Sequence, residues 1–138
     1  MATTTRATLR QRLSEAIGDY HSVTSTSAGN SAATTIISTT LLDLPGGGDD
    51  DAFEGWYVMV TSGNNDTEIR RISSYIANDS TVTVGRAFTN ATETPVTFEV
   101  HRYDPTHKHN AINRAIEELS KHVPQMIRDE TIIVDNLM

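Results

Sequence analysis

The stretch Phe53–Ile76, FEGWYVMVTSGNNDTEIRRISSYI, constrains this chain more than any other. Trp56, Val58 and Val60 alternate with Tyr57, Met59 and Thr61, the period of two that sends successive side chains to opposite faces of a strand. Ser62, Gly63, Asn64, Asn65 and Asp66 follow, types that turns select because they tolerate unusual backbone angles or bond to their own backbone. The chain then returns through Ile69, Ile72 and Ile76. Two strands joined by a polar turn are predicted. The only tryptophan and two of the four tyrosines lie here, so the heaviest apolar anchors of a small core gather in one hairpin. Ile69 and Ile72 are out of phase for a single face, and a β-bulge near Arg70 and Arg71 restores the register. A bulge re-aims side chains, which makes Arg70 and Arg71 candidate contacts to a partner. The competing reading is two solvated arginines on the outer face.

Three more segments carry strand patterns. Thr34–Leu44 sets Ile36, Ile37, Leu41 and Leu42 among threonines, a β-branched content that favours a strand. Pro45 and Gly46–Gly48 end it. Ser80–Arg86 alternates Val82 and Val84 against Thr81 and Thr83. Pro95–His101 alternates Val96, Phe98 and Val100 against Thr97, Glu99 and His101. Short strands at such intervals predict a small antiparallel β-barrel or sandwich of about five strands.

Helices flank this β-domain. Ala7–Tyr20 repeats Leu9, Leu13, Ala16, Ile17 and Tyr20 at spacings of three and four, one apolar stripe. Arg6, Arg10, Gln11, Arg12, Ser14, Glu15 and Asp19 fill the other side, and Thr8 or an earlier threonine caps the start. The stripe packs on its own domain or is donated to a neighbouring subunit, and Leu9, Leu13 and Ile17 are its candidate contacts. Asp104–Val123 repeats Ile112, Ala115, Ile116, Leu119 and Val123. Asp104 or Thr106 caps it, Pro105 suits an early helical position, and Pro124 stops or kinks it. The expected organisation is a helix in 1–22, a loose Ser/Thr/Gly linker over Val23–Ala33, a β-domain in 34–101, a helix in 104–123 and an arm in 124–138. The arm interleaves Met126, Ile127, Ile132, Ile133, Val134, Leu137 and Met138 with charges. It is too apolar for a solvated end and too short to fold alone, so Ile132, Ile133, Val134 and Leu137 are candidate docking residues. The fold class is α+β.

The chain has 138 residues, enough for one domain with a real core. Its net charge of −7 argues against a phosphate-binding face, so no direct sequence-specific contact with nucleic acid is expected. With no cysteine, disulfides and thiol chemistry are excluded. The start, MATTTRATLRQRL, lacks the apolar core of a signal peptide, and no apolar run approaches the roughly 20 residues of a membrane span. A soluble protein of a cytoplasm, or one assembled there, is expected, with no membrane contact.

Catalytic patterns are missing. Asp49, Asp50 and Asp51 form a carboxylate run beside glycines, but without the alternating spacing of a calcium loop; a solvated acidic loop is the simpler reading. His107 and His109, with His101 upstream, have ligand chemistry, yet residues two apart on a helix diverge. No Gly-x-Ser-x-Gly elbow is present, and Gly46–Gly48 lead into aspartates where a phosphate cradle needs the opposite charge. The expectation is a non-enzyme without a metal or cofactor.

The segments DAFEGWYVMVTSG, EIRRISSY, STVTVGRAFT and VTFEVHRYDPTHKHNAINRAIEEL, in that order across residues 34–120, resemble structural proteins of tailed bacteriophages. The resemblance implies a virion protein assembled in the host cytoplasm, most specifically a head-to-tail connector or adaptor of the neck. Such a protein forms a homo-oligomeric ring and meets portal or tail proteins through its helices and arm. The large β portion departs from all-helical adaptors. The other reading of the residues is a tail-fibre or baseplate β-module that binds a carbohydrate or host receptor, with Trp56, Tyr57 and Tyr75 as stacking faces.

Overall fold

The computed structural model describes residues 4–122. Helix α1 (Arg6–Ala16) precedes strands β1 (His21–Thr24), β2 (Thr35–Ile37), β3 (Tyr57–Val60), β4 (Ile69–Ile76), β5 (Thr81–Val84) and β6 (Thr97–His101), and helix α2 (Pro105–His122) follows. The strands form one antiparallel sheet in the order β1-β6-β3-β4-β5-β2, so the α+β class is as expected. The sheet curls until its edges meet. Ser27 bridges Ile37, the Thr26 amide donates to Ile37 O at 2.9 Å, and Ser38 Oγ donates to Thr24 O at 2.6 Å. Stitching the edges removes the exposed ladder groups that would invite another strand.

Alternation fills the interior. Val58 and Val60 of β3 lie opposite Val100 and Phe98 of β6, and Val23 of β1 also faces Phe98. These join Ile36, Leu41, Phe53, Ile72, Tyr75 and Val82 in one apolar core. Among the described residues, none from α1 or α2 belongs to that core.

Several boundaries differ from the sequence expectation. β1 falls partly in the expected linker, because backbone pairing with β6 and the one inward residue, Val23, suffice to hold it. Only Thr35–Ile37 of the expected Thr34–Leu44 strand is extended; Leu41 enters the core from a 3-10 turn, Thr39–Asp43. A β-bulge is present, but between Ile72 and Ser74 rather than at Arg70 and Arg71. It lets Ile72 and Tyr75, three apart, both point inward. α1 stops at Ala16 because Gly18 turns the chain with a φ of +66°, a left-handed conformation that suits glycine. Its N-cap is Thr5, whose hydroxyl accepts from the Thr8 amide at 3.2 Å. At α2 the Asp104 carboxylate accepts from the Thr106 amide at 2.8 Å, as expected.

The aspartate run serves the fold. Asp50 Oδ1 accepts from the Ala77 amide at 2.8 Å and Asp51 Oδ1 from the Tyr75 amide at 3.1 Å, fastening the loop to the end of β4. Tyr75 reaches across to donate its hydroxyl to Gly47 O at 2.8 Å. A Cβ on Gly47 would lie 2.0 Å from Leu41 O, so that close crossing requires glycine.

Candidate assembly surface and its ionic anchor

β6 has two buried faces. Phe98 and Val100 point into the barrel, while Glu99 and His101 point outward and are covered by the helices. A helix placed over a carboxylate must bring it a partner, since an unpaired buried charge is strongly destabilising. α1 brings Arg10. Its guanidinium grips Glu99 with two parallel bonds, Nε to Oε2 at 3.1 Å and Nη2 to Oε1 at 2.8 Å. His101 Nε2 lies 2.9 Å from Glu99 Oε2, and Arg10 Nη1 lies 3.3 Å from His109 Nε2 of α2.

Lys108 of α2 completes the network. Its ammonium reaches Ser14 Oγ at 2.9 Å, Asp19 Oδ2 at 2.6 Å and His101 Nδ1 at 3.0 Å, which uses its three donors. His101 Nδ1 also lies 3.1 Å from the Asp19 backbone carbonyl, so the ring ties Glu99 to both Lys108 and the α1–β1 turn. Asp19 also accepts from the backbone amides of Arg102 and Tyr103, pinning the α1–β1 turn to the β6–α2 turn. Burial alone would raise the Glu99 carboxyl, but the hydrogen bonds from His101 and Arg10, with the Arg10 charge, outweigh it and hold it at about 2.

α1 is therefore turned relative to its expected orientation. Arg10 and Ser14, assigned to the solvent side by the apolar stripe, are buried. Leu9 and Leu13 are half-buried and Ile17 is 48 % exposed. The polar outer face of β6 dictates this, because leucines there would leave Glu99 without a counter-charge. The helix does pack on its own chain.

α2 is covered only over its first turns, by Pro105, Lys108 and Ile112. Every residue from 113 to 122 is exposed. The stripe nevertheless continues there through Ala115, Ile116 and Leu119, with Ile116 51 % and Leu119 62 % exposed. At a rise of 1.5 Å per residue this free end is about 15 Å long.

Arg70 is bound within the fold. It donates to Ala87 O and Ile69 O, each at 2.9 Å, pairs with Glu68, and lies over the Phe88 ring. Arg71 is exposed beside Gly55 and lines a shallow surface hollow with Glu54 and Gly85. Ile132, Ile133, Val134 and Leu137 lie outside the described residues. Of the aromatic candidates, Tyr75 is buried and Tyr57 half-buried. Trp56 packs edge-on against Phe53, stacks with His21 and carries the Arg102 guanidinium 5.1 Å from its ring centre. His107 is exposed, and His109 is half-buried against Arg10.

Among the described residues no helix is long and apolar enough to cross a membrane, and no three or more His, Cys, Asp or Glu side chains are grouped to hold a metal ion. No protein-family model, curated protein or solved structure matches the chain.

Proposed function

We propose that this chain is a structural subunit that works by self-assembly, specifically a head-to-tail connector of the neck of a tailed-phage particle. In that reading copies form a ring and meet adjacent virion proteins through the helices and the arm 124–138. The observation that carries it is the free end of α2, where Ile116 and Leu119 continue the buried line of Ile112 into solvent. An apolar helix face left open beyond the body is what a subunit presents to a neighbour. Ile17, exposed at the end of α1, adds a second apolar site on the same helical layer. The resemblance of residues 34–120 to phage structural proteins supplies the particle context. The barrel gives these helices a rigid base, and the ionic network sets their orientation on it.

The test is Ile116→Glu with Leu119→Glu in the full chain. Both side chains are exposed, so folding by circular dichroism should be unchanged. Sedimentation should show the unaltered chain as an oligomer and the variant as a monomer. A variant that assembles like the unaltered chain refutes this use of α2.

The carbohydrate-binding alternative gains little from the geometry. Tyr75 is buried with its hydroxyl bound to Gly47, and Trp56 is already in contact with Phe53, His21 and Arg102.

A further inference from the structure

In the order of the closed sheet β5 stands three strands from β6, so the two form opposite walls of the barrel. The helices cover the outer side of β6, whereas on the opposite wall Ile76 stays 45 % exposed. Alternation turns Ile37, Thr81 and Ile76 outward there, and pairing sets them side by side across β2, β5 and β4. With strands about 4.8 Å apart, this row is about 10 Å wide, the width of one α-helix. Leu42, equally exposed, extends it from the 3-10 turn, where it shares a shallow hollow with Ala77 and Asn78. The rim is acidic. Asp43 follows Leu42, Asp49 lines the hollow and Asp79 follows Asn78, all three exposed. No lysine or arginine occurs from 13 to 69 or from 72 to 85, and Arg71 lies at the far end of β4.

α1 carries the converse. At 3.6 residues per turn Leu9, Leu13 and Ala16 fall within about 60° of its circumference, with Arg12 about 40° beyond one edge and Arg6 about 20° beyond the other. Leu9 and Leu13 are half-buried, and Ala16, Arg6 and Arg12 are exposed. Glu15, the one acid of α1, is bound to Gln11. We propose that the β5 face of one copy receives α1 of a neighbouring copy. Leu9, Leu13 and Ala16 then lie on the row of Ile37, Thr81 and Ile76, and Arg6 and Arg12 meet the acidic rim. The inference rests on the self-assembly reading above and names the surface on which a neighbour's helical layer lands.

Charge and position select this pairing. Two β5 faces would set acid against acid, and two α1 ridges arginine against arginine, so neither surface suits a second copy of itself. Each suits the other. Opposite walls of one barrel cannot touch, so the two surfaces meet only between copies. A contact between unlike surfaces runs head to tail, and it closes into a ring when the rotation from copy to copy divides a full turn.

Charge exchange in the full chain tests this. One variant carries Asp43→Lys and Asp79→Lys, the other Arg6→Glu and Arg12→Glu, all at exposed positions. Each alone should assemble about tenfold or more weakly, since like charges then meet at the contact. The lysine variant is the sharper of the two: it makes the chain less negative overall, so general repulsion cannot account for its loss. An equal mixture should recover assembly, with reversed surfaces alternating from copy to copy, and so should a chain carrying all four changes. Sedimentation over a concentration series reads these effects. The chain has no cysteine, so Ile76→Cys and Ala16→Cys on separate chains should link in an oxidised mixture, while Ile76→Cys alone should not. Charge variants that assemble normally, a mixture that fails to recover, or Ile76→Cys chains that link to one another overturn the proposal. If the charge variants assemble normally while Ile116→Glu with Leu119→Glu does not, self-assembly stands and this surface is wrong. A monomeric unaltered chain defeats both.

Discussion

On one side of β6, Phe98 and Val100 meet Val23, Val58 and Val60 in an interior without charge. On the other, Glu99 and His101 meet Arg10, Asp19 and Lys108, and Lys108 is held in turn by Ser14. The two sides share a strand and differ in every other respect. Apolar burial is non-directional and scales with area, so the barrel side supplies stability. Ion pairs out of water lose desolvation energy that largely cancels their attraction, so the helical side supplies little net stability. It supplies position instead: a two-pronged Arg10–Glu99 contact and a three-donor lysine tolerate few arrangements. The helices are thus aimed by the network, while their apolar residues remain free for other contacts.

The largest effect should come from emptying the barrel side. Phe98→Ala removes a fully buried ring at the strand shared by both regions. A loss of about 3–5 kcal/mol is expected in urea unfolding followed by Trp56 emission. Because the helices rest on β6, their circular dichroism should be lost in the same transition. Helices that outlast the barrel would show that the division drawn here is wrong.

A similar or smaller loss, differently placed, should follow on the outer side. Glu99→Gln leaves the buried Arg10 guanidinium without a counter-charge, a change that costs about 3 kcal/mol. Hydrogen exchange should accelerate in α1 and the first turns of α2, and far less in β4 and β5. Acid should imitate the substitution. The folded Glu99 titrates at about 2 against an ordinary 4.5, so the advantage of the ionised over the protonated acid, about 3 kcal/mol, is complete above pH 4.5 and is lost as the pH falls through 2. Exchange that quickens equally in β5 would remove the distinction between the two faces.

The same contrast explains what the amino-acid order revealed. The apolar side was legible because alternation is local: Val58, Val60, Phe98 and Val100 announce their faces within single strands. The ionic side was not. Arg10 and Glu99 are 89 positions apart, and neither carries a sign that it will be buried. A leucine stripe on α1 pointed to the opposite orientation, because propensity and period say nothing about a carboxylate waiting on another element. β1 was obscured for a related reason: a strand with one inward residue has no pattern of its own, and only β6 gives it one. The arm and the free end of α2 were marked by surplus apolar residues. That surplus identifies candidate contacts without identifying what they touch.

The smallest effect should appear between neutral pH and pH 4.5, where Glu99 remains ionised. His109 is held below the usual 6.5, first by burial and then by the Arg10 and Arg6 charges. His21 is lowered too, first by burial; the nearby Asp19 opposes the shift, while His101 and Lys108 add to it. A histidine lowered in the folded state binds its proton more readily in the unfolded one. Its contribution is therefore present above pH 6.5 and is lost as the pH falls through the folded value. The geometry at His109 gives the reason, since Nε2 can accept from Arg10 only while it carries no proton. His109→Gln keeps an acceptor that does not titrate, so the decline in stability below pH 6.5 should become shallower, with His21 supplying what remains. His107→Gln, on the exposed side of the same turn, should leave the slope unchanged. If His107→Gln flattens the profile as much as His109→Gln does, the slope arises from general surface charge and the helices are not being loosened at the Arg10 contact.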